Sequence, residues 1–329
     1  MKKYLKKIMP SFLQINARKL SHNIVKWFYF LFKDKVLLVN YLAPTFGLFS
    51  PNQYNWGDDL NYSFVKKMTS LFVIHINFIP NATKNKTYSV IGSVIPWILN
   101  RNSIVWGCGN MLPEMKIEHE NIPSKIYAVR GPRTRQYLLN QNIECPPIYG
   151  DPALLLPILY TPRKTKHYKI GIILHQADKI SKNALFWFEK LKDEYIDIDL
   201  TKYREWTDVI DKIYNCDLVI SSSLHGLIVA DAYNIPNVWV EFEYQHTGNY
   251  FKFFDYFESV GRIEKMPVKW NDSFDFSNLL NEVKANPKPE IDILPLIESC
   301  PFQNNLKSKY LRFMSNKKIV KKSIYKHII

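Results

Sequence analysis

The sequence has little glycine and few cysteines, and it lacks a long apolar run. Its 329 residues include 11 glycines and 4 cysteines, while 47% are hydrophobic and 15% are aromatic. This composition excludes a fibrous or disordered chain and is sufficient for a sizeable buried core. The cysteines lie far apart, with neither a CxxC pair nor a Cys/His cluster. A disulfide framework or zinc site is therefore not expected, and a reducing compartment is favoured.

The longest apolar stretch near the N-terminus is too short to cross a membrane. It covers residues 27–32, whereas a transmembrane helix needs about 20 apolar residues. The basic N-terminal segment also lacks the apolar region and small-residue cleavage site of a secretory signal peptide. The sequence therefore predicts a cytoplasmic protein.

The positive charge is concentrated at the two ends of the chain. The net charge is +14, and residues 1–35 and 304–329 together hold 17 Lys and Arg against one Asp. The body between them is nearly neutral, which argues against a nucleic-acid partner because such proteins carry a basic patch on the folded surface. Basic ends with interleaved aromatics suit the anionic inner face of a membrane, where each Lys or Arg contributes about 1 kcal/mol. A pair of solvated basic ends explains the same pattern.

Short apolar strands alternate with helical segments, a pattern typical of α/β proteins with parallel sheets. Strands are predicted within residues 35–42, 72–79, 87–94, 103–109, 125–131, 170–175, 195–200, 217–223 and 237–242. Helices are predicted at 60–71, 132–142, 183–194 and 205–215, and from residue 224 onward. We expect two doubly wound, Rossmann-like α/β domains at 36–159 and 170–303, joined by a basic linker at 160–169. Basic segments at 1–35 and 304–329 flank them.

The segment DLVISSSLHGLIVADAYNIP, residues 217–236, contains an unusual strand-to-helix junction. Its strand ends near Ser221, and a helix begins near Leu224. The first turn of a helix carries unpaired backbone N–H groups and the positive end of the helix dipole. These features favour a bound phosphate or carboxylate, and ligands of doubly wound sheets bind at the carboxyl ends of strands.

Five consecutive residues at this junction are candidate site residues. Ser222 and Ser223 are possible helix caps beside the anion, and Leu224 begins the helix. Gly226 removes a side chain and would permit close approach of a ligand. His225, in the first turn, could donate a hydrogen bond to the anion or act as a proton donor. An ordinary turn explains the same residues without a ligand.

Arg130 is a second candidate, because it follows a predicted strand and precedes Pro132 at a helix start. A guanidinium there could point into a cleft and clamp a phosphate or carboxylate in bidentate fashion. The alternative is a surface arginine among its neighbours Arg133 and Arg135.

Two more segments place polar residues at the ends of predicted elements. In the sequence NWGDDLN, residues 55–61, Gly57 would supply a tight bend, and Asp58 and Asp59 favour a helix N-terminus. Capping alone explains these acids, but one carboxylate could instead face the cleft and bind sugar hydroxyls. His175 ends the first predicted strand of the second domain, where it is either a site residue or a packed polar residue.

Several common motifs do not occur in the sequence. It contains no Walker motif, GxGxxG, HExxH or GxSxG pattern, so NTPase, dinucleotide, zinc-protease and serine-hydrolase functions lack support. No metal site is predicted, because no cluster of candidate ligands is visible.

Four motifs follow one another along the chain: Asn55-Trp56-Gly57-Asp58, Arg130-Gly131-Pro132-Arg133-Thr134, Asp151-Pro152-Ala153, and Ser221-Ser222-Ser223-Leu224-His225 running to Ala230. Taken in order, they resemble the polysaccharide pyruvyl transferase family over about residues 38–302. Many relatives carry Arg at the position of Ser223 and Asp at the position of Gly131. The form around His225, with a histidine at position 175, looks most like the branch that modifies exopolysaccharides.

The resemblance implies a glycosyltransferase-B-like arrangement of the two domains. It also implies transfer of the pyruvyl group of phosphoenolpyruvate onto two hydroxyls of a sugar, which forms a cyclic ketal and releases phosphate. The acceptor would be a bacterial-type surface polysaccharide or its lipid-linked precursor, and no further cofactor is expected. The implied roles are catalysis by His225 and Arg130, donor binding by Ser222, Ser223, Leu224, Gly226 and His175, and acceptor binding by Asp58 and Asn55.

Two other functions fit the same architecture. A nucleotide-sugar glycosyltransferase could hold a ribose with Glu241 and Glu243, which follow the last strand predicted for the second domain. A non-catalytic, membrane-associated partner of a polysaccharide assembly complex would need neither donor.

Overall fold

The computed structural model describes the chain in several ranges. The predicted apolar stretch at 27–32, most of the basic N-terminal segment and the predicted helix at 183–194 lie outside the described residues. The described residues are 35–42, 55–79, 81–180, 195–242, 248–263, 266–270, 279, 283, 289–302 and 305–326.

Two parallel sheets of five strands each form the framework of the described chain. The first has the order β2-β1-β3-β4-β5 and the second β10-β9-β8-β6-β7. Both follow the doubly wound order 2-1-3-4-5, counted from the first strand of each sheet. The strands are β1 (Val36–Val39), β2 (Phe72–His75), β3 (Thr87–Ser89), β4 (Ser103–Trp106), β5 (Lys125–Ala128), β6 (Tyr168–Ile173), β7 (Tyr195–Asp197), β8 (Cys216–Ser221), β9 (Asn237–Glu241) and β10 (Val268–Lys269).

The α/β class and the nine predicted strands are confirmed. Strands that are buried on both faces of a parallel sheet form continuous apolar runs, which makes them visible in the sequence. The exception is β10, which has two residues and is too short to give such a run.

The helices connect the strands and flank the sheets. In the first of them, Asn55 accepts a hydrogen bond from the Gly57 N–H, and acids in the first turn and lysines in the last complement the helix dipole. The described α-helices are α1 (Trp56–Met68), α2 (Ile95–Ile98), α3 (Pro132–Leu139), α4 (Leu156–Leu159), α5 (Trp206–Tyr214), α6 (Leu224–Ala232), α7 (Phe251–Ser259), α8 (Leu294–Glu298) and α9 (Leu306–Lys326).

One apolar cluster joins the two sheets. It includes Trp56 and Phe64 of α1, and Leu227 and Val229 of α6, all of which are fully buried. The short helix Pro152–Leu155 packs on α6, and α1 packs on α5. The two halves of the chain therefore share a core.

The C-terminal part of the chain returns to the first sheet. The indole N–H of Trp106 donates to the Leu296 carbonyl at 3.0 Å, and the Phe302 ring packs edge-on against Trp106 at 5.8 Å. Residues 294–302, which the sequence places in the second domain, thus pack on the first sheet. The predicted basic tail begins as α9, which contains eight Lys and Arg and no acid. Among the described helices, none combines the length and apolarity needed to cross a membrane.

Candidate functional site

A cavity of about 540 Å³ is lined by residues that follow the carboxyl ends of strands in both sheets. The segments after β1, β3, β6 and β8 contribute to it, and these strands flank the points where each sheet's strand order reverses. Ligands of doubly wound proteins bind at such points. The lining residues are Leu42, Asn55, Asp58, Ser93, Val94, Trp97, Met111, Leu174, His175, Gln176, Leu200, Thr201, Ser223, Leu224, His225 and Lys252.

The start of α1 is held against the second sheet. The Trp56 backbone N–H donates to the Leu200 carbonyl at 2.9 Å, and the Trp56 indole N–H donates to the Trp206 carbonyl at 2.8 Å. The Tyr203 hydroxyl also donates to the Asp59 carboxylate. These three bonds hold the first turn of α1 against residues of the second half of the chain. The first turn of α1 therefore forms one wall of the cavity, which Asp58 lines.

Gly57 allows His225 to lie directly on α1. A Cβ atom at Gly57 would be 2.0 Å from His225 Nδ1 and 2.4 Å from Cε1, so only glycine leaves room for the ring. The sequence predicted that Gly57 supplies a tight bend. That explanation is wrong, because Gly57 lies inside α1, and its role is to admit the imidazole.

Asp58 is a buried carboxyl group at the cavity wall, with 8% of its surface exposed. Asn55 Nδ2 donates to Asp58 Oδ2 at 2.7 Å, so the two predicted acceptor residues form one hydrogen-bonded pair. Burial raises the pKa of Asp58 to about 7, with a further increase from Asp59, while Lys252 and Asn55 oppose the shift. Near neutral pH this carboxyl group can therefore either hold or accept a proton.

His225 lies in the first turn of α6 and is one of the residues that line the cavity. Burial lowers its pKa to about 3, and the nearby positive charges of Arg130 and Lys252 add to the effect. Its Nε2 atom is buried and has no hydrogen-bond partner among the described residues. The ring is therefore neutral at neutral pH, and its orphaned nitrogen is an unfavourable feature that a bound group would relieve.

His175 also lines the cavity, at the end of β6. Its Nδ1 accepts from the Ala177 N–H at 3.3 Å, and burial together with the charge of Lys252 lowers its pKa to about 4. Ser222 does not line the cavity. Its hydroxyl accepts from the His175 N–H at 2.8 Å and donates to Asp178 at 2.6 Å, which fixes the loop that carries His175.

Three residues of the predicted helix start remain: Ser223, Leu224 and Gly226. Ser223 and Leu224 line the cavity, and the Ser223 side chain makes no capping hydrogen bond. Gly226 does not line it. A Cβ atom there would be 2.4 Å from Ser221 Oγ and 3.0 Å from Ile173 Cδ1, so this glycine permits close approach of α6 to the sheet. The prediction that Gly226 permits close approach of a ligand is therefore wrong, because the closely approaching groups are Ser221 and Ile173.

Arg130 occupies neither of the positions considered from the sequence, since it is 0% exposed and is not among the cavity-lining residues. Nε donates to Asp255 at 3.0 Å and Nη2 to the Asn110 carbonyl at 2.6 Å, while Nη1 donates to Ser93. It is therefore not a surface residue, and its side chain lies behind the cavity wall. Of these three hydrogen-bond partners, Ser93 is the one that lines the cavity.

Lys252 is a lining residue that the sequence analysis missed. It belongs to the first turn of α7 and is half-buried. Burial lowers its pKa to about 8; the charge of Arg130 lowers it further, and Asp58 raises it. A signal existed in the sequence, because Lys252 is the one cation within the aromatic run YFKFFDYF.

Glu241, which a nucleotide-sugar enzyme would use for a ribose, is not a lining residue of this cavity. It is buried, and its carboxylate accepts from the Tyr250 hydroxyl at 2.5 Å. Glu243 lies outside the described residues.

Comparison with known proteins agrees with the geometry. An uncharacterized protein of Acanthamoeba polyphaga mimivirus is 29% identical over 246 residues, which is 72% of this chain and 82% of that protein. Succinoglycan biosynthesis protein ExoV of Rhizobium meliloti is 31% identical over 151 residues, or 44% of each chain. The family model of polysaccharide pyruvyl transferases matches residues 55–244, which contain every lining residue except Leu42 and Lys252. The chain therefore belongs to the polysaccharide pyruvyl transferase family and is a transferase.

Proposed function

We propose that this chain transfers the pyruvyl group of phosphoenolpyruvate onto two hydroxyls of one sugar, in a surface polysaccharide or its lipid-linked precursor. The products are a cyclic ketal and phosphate. The observation that carries the proposal is the convergence at one cavity of His225, Asp58 and Lys252, which come from three different helices. They offer a hydrogen-bonding ring, a proton-exchanging carboxyl group and a cation.

The donor end of the cavity is assigned to the start of α6. Phosphoenolpyruvate carries a phosphate and a carboxylate, and the first turn of a helix favours such groups. Typical dipole contributions are about 0.3–1 kcal/mol, whereas micromolar binding requires about 8 kcal/mol. Side chains must therefore supply much of the affinity. Ser223 and His225 lie at the start of α6, and the backbone of His175 is hydrogen-bonded to Ser222 beside it. In this proposal Ser222, which supports His175, acts indirectly.

The reaction needs one proton on the methylene carbon of the donor. Protonation there makes the adjacent carbon electrophilic, and a sugar hydroxyl then attacks it. Phosphate leaves with its bonding electron pair, and the second hydroxyl closes the ring. Of the two hydroxyl protons, one balances the proton added to carbon and the other leaves with phosphate. We assign the proton donation to His225 and removal of a hydroxyl proton to Asp58.

The acceptor end of the cavity is assigned to the side formed by the first half of the chain. Trp97 is 41% exposed although it lines the cavity, and Leu42 beside the same space is also exposed. An exposed indole face can pack against the apolar face of a sugar ring, while Asn55 and Asp58 can hydrogen-bond its hydroxyls. Apolar walls with a few placed polar groups are typical of small-molecule sites.

The proposal extends to the setting of the reaction. A glycosyltransferase-B-like arrangement would place the donor and the acceptor between the two sheets. Cytoplasmic phosphoenolpyruvate and a lipid-linked acceptor would meet at the inner face of the membrane, and the basic residues of α9 would attract anionic lipid there.

A thermal-shift titration tests the donor without knowledge of the acceptor. Phosphoenolpyruvate at about a hundred times its dissociation constant should raise the free energy of unfolding by about 2.7 kcal/mol, a shift of several degrees. His225→Ala should reduce that shift. Stabilisation by a uridine diphosphate sugar alone would overturn the proposal in favour of a glycosyltransferase. No stabilisation by either donor would favour a non-catalytic partner.

A further inference from the structure

Lys252 has an unusual environment for a lysine. Among the lining residues of the described chain it is the sole Lys or Arg. No carboxylate of the described residues forms an ion pair with its Nζ, which lies 5.3 Å from the centre of the Phe253 ring. A half-buried ammonium group without a direct ion pair among the described residues is unfavourable, so the position favours binding of an anion from the cavity.

The turn before α7 holds Lys252 in this position. Gly248, Asn249 and Tyr250 have φ angles of 75°, 47° and 60°, so three consecutive residues are left-handed. For residues other than glycine this conformation costs about 1–3 kcal/mol each and persists only where the surroundings enforce it. A Cβ atom at Gly248 would be 2.1 Å from the carbonyl oxygen of Met111, a lining residue. The turn is thus pressed against the cavity wall immediately before Lys252.

The other anchor of α7 is the buried pair of Arg130 and Asp255. Asp255 lies three residues after Lys252 on the same helix, and positions three apart share a face. Besides the bond from Arg130, the Asp255 carboxylate accepts bonds from the Thr134 N–H and hydroxyl, each at 2.7 Å. Arg130 therefore fixes the helix that carries Lys252.

We propose that Lys252 binds the phosphate or carboxylate of the donor, and that Arg130 is a positioning residue that holds α7 so that Lys252 reaches this anion. The inference rests on the proposed function, because it names the cation of the donor site. It also gives Arg130 a role compatible with its burial behind the cavity wall.

The charge of Lys252 makes donor binding depend on pH. The charged or titratable groups around it are Arg130 behind the wall, Asp58 on α1, His225 on α6 and His175 after β6. The pKa of Lys252 is lowered to about 8, and those of Asp58, His225 and His175 are about 7, 3 and 4. Between pH 7.5 and 9 Lys252 undergoes the largest change of charge among these four, and Asp58 a smaller one, so donor affinity should fall there.

The test measures the dissociation constant of phosphoenolpyruvate by calorimetry at pH 7.5 and pH 9. Lys252→Met should weaken binding about ten- to a hundredfold at pH 7.5, as loss of a charged hydrogen bond does, and should remove most of the decrease towards pH 9. Lys252→Arg should keep most of the affinity and also remove most of that decrease. Lys202→Met is the matched control, because the Lys202 side chain is 85% exposed and follows the lining residue Thr201.

Arg130→Lys tests the positioning role by a double-mutant cycle. It should weaken donor binding in the wild-type background but have little further effect in Lys252→Met, because both changes act through the same contact. If Arg130→Lys fails to fold, Thr134→Val gives the same test, since it removes one bond to Asp255. Additive losses would refute the positioning role.

The two proposals fail in different ways. If the wild type binds phosphoenolpyruvate and Lys252→Met binds it equally well at pH 7.5, the role of Lys252 is refuted and the proposed function stands. If the wild type shows no saturable binding of phosphoenolpyruvate at either pH, the proposed donor is wrong, and the role of Lys252 in binding it is refuted as well.

Discussion

Gly57→Ala should remove His225 from the cavity without changing the histidine. The new Cβ atom would be 2.0–2.6 Å from three atoms of the imidazole, well below an ordinary contact of about 3.4 Å, so the ring must rotate away. Forced overpacking of this kind costs about 1–3 kcal/mol. In a helix without the clash, the same change would stabilise the protein by about 0.5–1 kcal/mol.

The sign of the effect on stability should therefore depend on His225. Urea unfolding should show Gly57→Ala to be destabilising in the wild-type background but neutral or stabilising in a His225→Ala background. The coupling free energy between the two positions should equal the cost of the clash, about 1–3 kcal/mol, because the gain in helix propensity is the same in both backgrounds, and this exceeds the deviation expected for independent sites. Neither measurement requires the acceptor to be known.

The effect of Gly57→Ala on turnover should also depend on His225. Loss of a positioned general acid typically reduces the rate about 10²–10⁴-fold, and Gly57→Ala should reach a similar loss in an assay of phosphate release from phosphoenolpyruvate with acceptor present. The double variant should be no slower than His225→Ala alone. Equal stability effects in the two backgrounds, or multiplicative losses of turnover, would refute the assignment of Gly57 as the residue that admits the ring.

Two further variants test lining residues that come from the first half of the chain. The pKa of Asp58 is about 7 in the folded protein and exceeds its ordinary value of 3.8. Between pH 4 and 7 the folded state therefore binds more protons than the unfolded state. The contribution of Asp58 to the free energy of unfolding is lost as the pH rises through this range. Asp58→Asn should therefore gain stability relative to wild type from pH 5 to pH 8 in urea unfolding, and a constant difference would contradict the shift. Trp97→Ala should raise the acceptor KM about tenfold while leaving the donor dissociation constant unchanged. Initial rates over a range of acceptor concentrations measure this, and an unchanged KM would exclude sugar packing on Trp97.

Much of the framework could be predicted because its signals are local. Buried parallel strands form short apolar runs, and the residues after them lie at the carboxyl edge of the sheet. For the same reason most of the predicted site residues do line one cavity. Those that line it are Asn55, Asp58, His175, Ser223, Leu224 and His225.

The features that could not be predicted depend on contacts between distant parts of the chain. Arg130 is paired with Asp255, which lies 125 residues away, and no local pattern distinguishes such an arginine from one that faces a cleft. The same holds for Gly57, which the sequence suggests is a bend but which makes room for the ring of His225, a residue of the other half of the chain. Lys252 was missed because it follows β9 on a connecting helix rather than standing directly at a strand end.

The low pKa of His225 is consistent with its proposed role as proton donor once the charge of the donor substrate is included. Burial accounts for most of the lowering, and the positive charges of Arg130 and Lys252 add to it. A bound phosphate and carboxylate would bring at least two negative charges to the same wall. These would oppose the effect of the two cations, and opposite charges a few ångströms away raise the pKa of an imidazole. The charge of the donor would therefore raise the pKa of His225 from its low value towards the range in which the ring can donate a proton to the methylene carbon.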